Sequence, residues 1–350
     1  MSWRDCTLGE VMKLQRGHDL PDRLRLDGDV PIISSSGITG RHNVAKASPP
    51  GVVTGRYGTI GEVFFSDEPY WPLNTALYVV DFKGNDPKFS AYLLKGTLKN
   101  YKSEKAAVPG VDRNVLHLLK VRAPTLPIQQ RIASILSAYD DLIENNRRRI
   151  TLLEQAARLL YREWFIHFRF PGHEHVKITN GLPEGWERSD FGNVAQLNYG
   201  KALKAENRVD GPFPVYGSSG QVGSHDKALV EAPAIVVGRK GNVGSVFWCS
   251  ENFWPIDTAY FISKHQSDYW LYQTLPNIGF QNTDSGVPGL NRDFAYSRKV
   301  VDPTETLRRE YNLSVEPMFG QAQLLTGYNQ KLAQARDLLL PRLMNGEIAV

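Results

Sequence analysis

Two short stretches carry glycine and basic residues at spacings that invite a chemical reading. Residues 52–65 read VVTGRYGTIGEVFF and residues 235–248 read IVVGRKGNVGSVFW, so Gly55, Arg56, Gly58 and Gly61 are answered by Gly238, Arg239, Gly241 and Gly244. A dinucleotide loop needs Gly-x-Gly-x-x-Gly between a strand and a helix whose N-terminus meets the pyrophosphate. Here the spacing is Gly-x-x-Gly-x-x-Gly, a second strand-like run follows, and no Gly-Lys-Ser/Thr is present for a P-loop. The stretch reads instead as a glycine-rich β-hairpin with a basic residue at its tip: Arg56 in one copy, Arg239 and Lys240 in the other. Such a loop lets backbone and guanidinium approach a ligand closely. Turn glycines with solvated charges are the competing reading.

Other candidate chemistry is weaker. SPPG (48–51) nearly matches the Ser/Asn/Asp-Pro-Pro-aromatic motif of amino-methyltransferases, but Gly51 stands where an aromatic ring must stack on a flipped base. The second copy has Ala232-Pro233-Ala234 there. SHD (224–226) places three triad residue types in a row, where side chains do not converge. HEH (173–175) offers two metal ligands at strand spacing and no third. No nucleophile–base pair, metal cluster or paired acid recurs in both copies, so the chain reads as non-catalytic.

The elements that must position these loops are themselves written twice. A shift of 183 aligns residues 3–79 with 186–262 without a gap: SSGITG (35–40) meets SSGQVG (218–223), and YWPLNTALYV (70–79) meets FWPIDTAYFI (253–262). At a shift of 179, VPGVDR (108–113) meets VPGLNR (287–292). This is a tandem duplication. Each copy opens with short strands, because Val, Ile, Phe and Tyr alternate between Gly, Pro, Asn and Asp turns.

Each copy then turns helical. From about Pro127 to Phe168, Ile132, Leu136, Tyr139, Ile143, Asn146, Ile150, Leu153, Ala157, Leu160 and Trp164 recur in steps of four and three, a heptad seam. The second helix, up to about Leu343, carries Met318, Ala322, Leu325, Asn329, Leu332, Leu339 and Leu343 at the same steps, with Arg336 as an interruption. Pro317 must begin this segment or kink it. The fold class expected is α+β: two similar mixed globular domains, 1–126 and 169–306, separated by an antiparallel pair of coiled-coil helices, 127–168 and 307–350. About 40 residues make a rod of roughly 60 Å, with a globule at each end related by a pseudo-dyad. Asn146 and Asn329, 183 apart, either meet near that dyad and fix register or face solvent separately.

The totals permit this. The chain has 350 residues, a net charge of +4 and a pI near 8.9, mildly basic and compatible with nucleic acid without demanding it. Cys6 and Cys249 are the two cysteines, so neither a disulfide framework nor a cysteine-rich metal site is expected. The N-terminus lacks an apolar signal core and no run approaches a membrane span, so a soluble, cytoplasmic protein is expected. Lys95, Lys99, Lys102 and Lys105 interleave with Tyr92 and Tyr101 before the Val-Pro-Gly turn, a mixture suited to phosphate and base contact. The second copy keeps aromatics there and trades lysines for Gln273, Asn277, Gln281 and Asn282. Two readers of different sequences would need this divergence, and neutral surface drift explains it almost as well. Arg147, Arg148 and Arg149 read as a solvated helix face or a partner contact.

The phrases SSGITG, GRYGTIG and YWPLNTA with their partners, LPIQQRIASIL, NGLPEGWE and ARDLLLPRLMNGEI resemble the specificity subunit of type I restriction-modification enzymes. The resemblance covers essentially the whole chain. It implies two target-recognition domains, each reading one half of a split, asymmetric double-stranded DNA target, with the rod setting the unread gap. It also implies a subunit without catalytic activity or cofactor of its own, bound to two modification subunits that carry S-adenosylmethionine, with motor-nuclease restriction subunits joining that core. TLRREYNLSV (306–315) departs from the usual helix start. On this reading Arg56, Tyr57, Lys105, Arg113, Arg239, Lys240 and Arg292 are candidates for phosphate or base-edge contact, and Ser35, Ser36, Ser218 and Ser219 add hydroxyls. Asn74 and Asp257 read as turn formers, and Trp71 and Trp254 as core. An enzyme binding a nucleotide at the glycine loop and an adaptor bridging two proteins through the rod are the competing functions.

Overall fold

Short runs of β-branched and aromatic residues, broken by glycine, proline and asparagine, form the strands of both halves of the chain. The computed structural model describes residues 3–99, 101, 110–283 and 288–350. These fall into two compact units, residues 1–146 with 328–350, and residues 147–327.

In the first unit a four-stranded sheet has the order Lys13–Arg16, Ala76–Asp81, Gly51–Gly55, Val63–Ser66, and a three-stranded sheet the order Gly37–His42, Val30–Ser34, Trp71–Pro72. Trp3–Thr7 pairs with Lys120–Pro124. Gly51–Gly55 is buried along its whole length, which is why GVVTG shows no polar alternation. The helix Pro87–Lys99 packs Phe89, Leu93, Leu94 and Leu98 into a core that also holds Leu14, Val52, Ile132, Leu136, Leu340 and Leu343. The start of one long helix and the end of the other therefore share this core. Ile348 and Val350 also pack on the cluster, and Gly346 lies against the Trp3 ring.

The second unit repeats the plan. Its four-stranded sheet runs Asn198–Tyr199, Ala259–Ile262, Ala234–Gly238, Val246–Cys249, and its three-stranded sheet Gly220–His225, Phe213–Gly217, Trp254–Pro255. The ladder pair Arg4 with Ala123 becomes Glu187 with Asp302, and the register break at Ile32/Ile33 recurs at Val215/Tyr216. Duplication thus reaches individual backbone pairs and one bulge.

The first long helix spans Leu126–Tyr161 and widens into a π turn at Arg162–Ile166. The second spans Glu305–Met344, so Pro317 does not begin it. Pro317 and Leu313, whose hydrogen bond the proline removes, both lie exposed on the helix. The turns upstream are held by tertiary contacts instead. Leu307, Tyr311 and Val315 are buried, and Asp268 accepts hydrogen bonds from Arg308 Nε at 2.6 Å and Asn312 Nδ2 at 2.9 Å. The Tyr311 hydroxyl donates to the Ala157 carbonyl at 3.0 Å.

Within the first unit the two long helices run antiparallel, since Asp140 meets Arg336 while Asn146 meets Asn329. Asn146 Nδ2 donates to Asn329 Oδ1 at 2.9 Å, and Asn329 Nδ2 to the Ile143 carbonyl at 3.3 Å. The asparagines meet rather than face solvent separately. Arg336 is no defect in the seam: it pairs with Asp140, which also accepts from the Tyr92 hydroxyl. Asn146 is 4% exposed, so Asn329→Leu strands a buried amide and should cost about 1–3 kcal/mol, read as a lower melting midpoint. Asn146→Leu added to it should recover most of that loss, because an apolar pair suits a seam position.

Candidate nucleic-acid interface

Each unit brings three repeated segments to one place. In the first, the hairpin loop 56–62 joins Gly51–Gly55 to Val63–Ser66. A Cβ on Gly55 would lie 2.0 Å from the Thr59 carbonyl, and Gly58 and Gly61 take φ of +79° and +98°, so these positions need glycine. Arg56 leaves the strand with its N–H on the Thr75 carbonyl at 2.9 Å, and its own carbonyl accepts from Val111 N at 2.9 Å. Tyr57 bridges Gly110. The Ser35 hydroxyl faces Gly58. Arg113 follows as the exposed first residue of the helix Arg113–Leu118, capped by Asp112. The basic residue therefore stands at the base of the hairpin, not at its tip, and its guanidinium lies 4.5 Å from the Tyr57 ring centre.

The second unit builds the same corner. Gly241 and Gly244 have φ of +82° and +75°, the Ser218 hydroxyl faces Gly241, and Arg239 N donates to the Thr258 carbonyl while its carbonyl accepts from Leu290 N at 2.8 Å. Lys240 is exposed and bridges Gly289. Arg292 opens the short helix Arg292–Tyr296, capped by Asn291. Ser36 and Ser219 are exposed beside these loops. Lys105 and Lys102 lie outside the described residues.

Here the chemistry of the copies parts. Arg239 Nη1 donates to the Asp257 carbonyl at 3.0 Å, and its guanidinium stands 4.9 Å from the Tyr199 ring and 5.7 Å from Tyr260. Arg292 stands 5.2 Å from the same Tyr199 ring. Burial, then a hydrogen bond with Tyr199, pushes the Tyr260 phenol up to about 12, with Arg239 pulling the other way. Tyr199 was hidden from the repeat comparison because Arg16 holds its place in the first copy.

Asn74 and Asp257 sit in turns, as expected, and Trp71 is core, whereas Trp254 is only half-buried. The two tryptophans donate to the carbonyls of His18 and Lys201, which are repeat partners. Gly51 lies against the Tyr70 ring. His42 and His225 accept backbone N–H groups through Nδ1 and lie edge-on to those tryptophans. His173–His175 form a single turn, and among the described residues no group of three His, Cys, Asp or Glu can hold a metal. Helical spacing turns the interleaved aromatics inward: Tyr92 bonds Asp140, and Tyr269 stacks on Phe319 of the second long helix at 4.4 Å. Asn277 and Asn282 spend their amides on backbone.

Sequence reading also missed a matched pair behind the corner. His117 Nε2 accepts from Leu14 N at 2.9 Å, and the Tyr296 hydroxyl accepts from Leu197 N at 3.0 Å. Burial, then the charges of Arg113 and Lys13, hold His117 below its usual 6.5. The unfolded chain then binds the proton first as pH falls. The stabilisation is full above about pH 6.5 and is lost as pH drops from there toward the depressed native value. His117→Gln should flatten the fall in melting midpoint between about pH 7 and pH 5.5, while Tyr296→Phe should leave that slope unchanged.

A family profile described as the type I restriction modification DNA specificity domain matches residues 2–155 and 183–291. The MjaIX type I specificity subunit of Methanocaldococcus jannaschii is 23% identical over 332 residues, 83% of this chain and 76% of that protein. The HindI specificity subunit of Haemophilus influenzae is 22% identical over 340 residues, covering 70% and 72%. The crystal structure of a type I restriction-modification S subunit from M. genitalium superposes with a TM-score of 0.61 at 19% identity, over 98% of this chain and 96% of that one. Among the described residues no helix is long and apolar enough to cross a membrane. Duplicated corners on duplicated sheets, and a profile that matches each copy in turn, identify the chain as a member of the type I restriction-modification specificity subunit family.

Proposed function

We propose that this chain is the DNA-reading, non-catalytic member of a type I restriction-modification complex, each unit gripping one half of a split duplex target. The observation that carries it is the corner built twice from the same three segments, each with arginines at a glycine-rich loop and hydroxyls beside it. The differing aromatics and charges at the two corners suit two different half-sites. The long helices set the unread gap and dock two modification subunits, which supply S-adenosylmethionine for adenine methylation; restriction subunits join that assembly in the cytoplasm.

A complex of the chain with its modification subunits should bind duplex DNA with log affinity falling linearly against log salt, at a slope of about −0.9 per phosphate contacted. A slope near zero would favour an adaptor that joins proteins through its helices and ignores DNA.

A further inference from the structure

We propose that Tyr199 is a positioning residue that holds Arg239 and Arg292 together as a two-arginine clamp for the DNA backbone of one half-site, an inference resting on the DNA-binding reading above. Tyr199 is 50% exposed, and its ring packs 5.1 Å from Tyr260, so one part is anchored and the rest stands at the surface. Both guanidinium carbons lie close to that ring, at 4.9 and 5.2 Å. An aromatic face attracts a cation, which lets one ring gather two side chains that would otherwise repel each other. Arg239 is further tethered through Nη1 to the Asp257 carbonyl, and Arg292 is fixed at the first turn of a capped helix.

Among the described residues neither guanidinium is paired with a carboxylate. Two uncompensated cations gathered at one half-exposed ring favour an anion with several oxygens nearby. Guanidinium N–H groups not spent on the protein are the donors that match phosphodiester oxygens. The corner of the first unit lacks this device. Arg16 occupies the place of Tyr199 and ion-pairs with Asp19 at 3.8 Å, and Leu77 occupies the place of Tyr260. The clamp therefore belongs to the corner of the second unit alone, whereas the glycine loop is shared by both.

The test uses the full chain assembled with its modification subunits and a mixed-sequence DNA duplex, with affinity followed across salt concentration. Tyr199→Leu should flatten the log–log salt slope by about 1–2, the yield of one or two lost phosphate contacts, and weaken binding about tenfold at low salt. Tyr199→Phe keeps the ring and should keep both slope and affinity. Equal losses in Leu and Phe, or no change in Leu while Arg239→Ala and Arg292→Ala flatten the slope, overturn the clamp and leave DNA binding standing. Absence of duplex binding by the unmodified complex ends the reading beneath it. If the Leu variant does not fold, Tyr199→Trp decides: its ring attracts cations more strongly, so binding at least as tight as the unmodified protein supports the clamp and weaker binding overturns it.

Discussion

Arg56→Ala and Arg239→Ala should each weaken binding of the target duplex about ten- to a hundredfold, since one well-made charge-assisted hydrogen bond contributes roughly 1.5–3 kcal/mol. The losses should fall in different places. Each arginine is pinned by two backbone hydrogen bonds at the exit of a buried strand, so truncation removes the guanidinium without moving the loop. Protection of DNA from cleavage should disappear over one half of the target in Arg56→Ala and over the other half in Arg239→Ala. Wild-type melting midpoints in both variants would show that the effect is not unfolding. Even loss over both halves would mean that the two corners do not serve separate half-sites.

A larger effect is expected from lengthening the helices. Seven residues added next to Asn146, with seven more next to Asn329, preserve the phase of a heptad seam and keep the Asn146–Asn329 hydrogen bond available as a register pin. At about 1.5 Å per residue the pair grows by about 10 Å, or about three base pairs at about 3.4 Å each. The bases read should stay the same while the unread gap grows by that amount, as mapped by adenine methylation of plasmid DNA. An insertion in one helix alone leaves the seam mismatched and should abolish the activity. If the paired insertion leaves the gap as it was, the helices do not set it.

How much of this was legible in the residues depends on which interactions are local. The duplication was, because identities at a fixed shift mark strands, turns and glycines together; the Arg4–Ala123 and Glu187–Asp302 pairs follow from it. That SSG stands beside GRYG or GRKG was legible only as hydroxyls added to a basic loop. The start of the second long helix was not. Glu305 to Glu316 has a weak pattern of its own and is held by Asp268 and by a pocket of aromatic rings, which are contacts between segments distant in sequence. Arg336 read as a flaw for the same reason, since its partner Asp140 comes from the other helix. Tyr92, Tyr269 and Tyr272 looked available for bases, yet helical periodicity points them at the long helices and the core. Tyr199 escaped notice because it occurs in one copy only, and a comparison of repeats sees what the copies share.

The most direct test of two independently reading units is selection from a pool of duplexes with randomised sequence, using the chain assembled with its modification subunits. The expected result is a recovered motif of two different short blocks at one fixed separation, with Arg239→Ala, which removes a backbone contact, lowering affinity without changing either block. A single uninterrupted motif, or two blocks at freely varying separation, would contradict it.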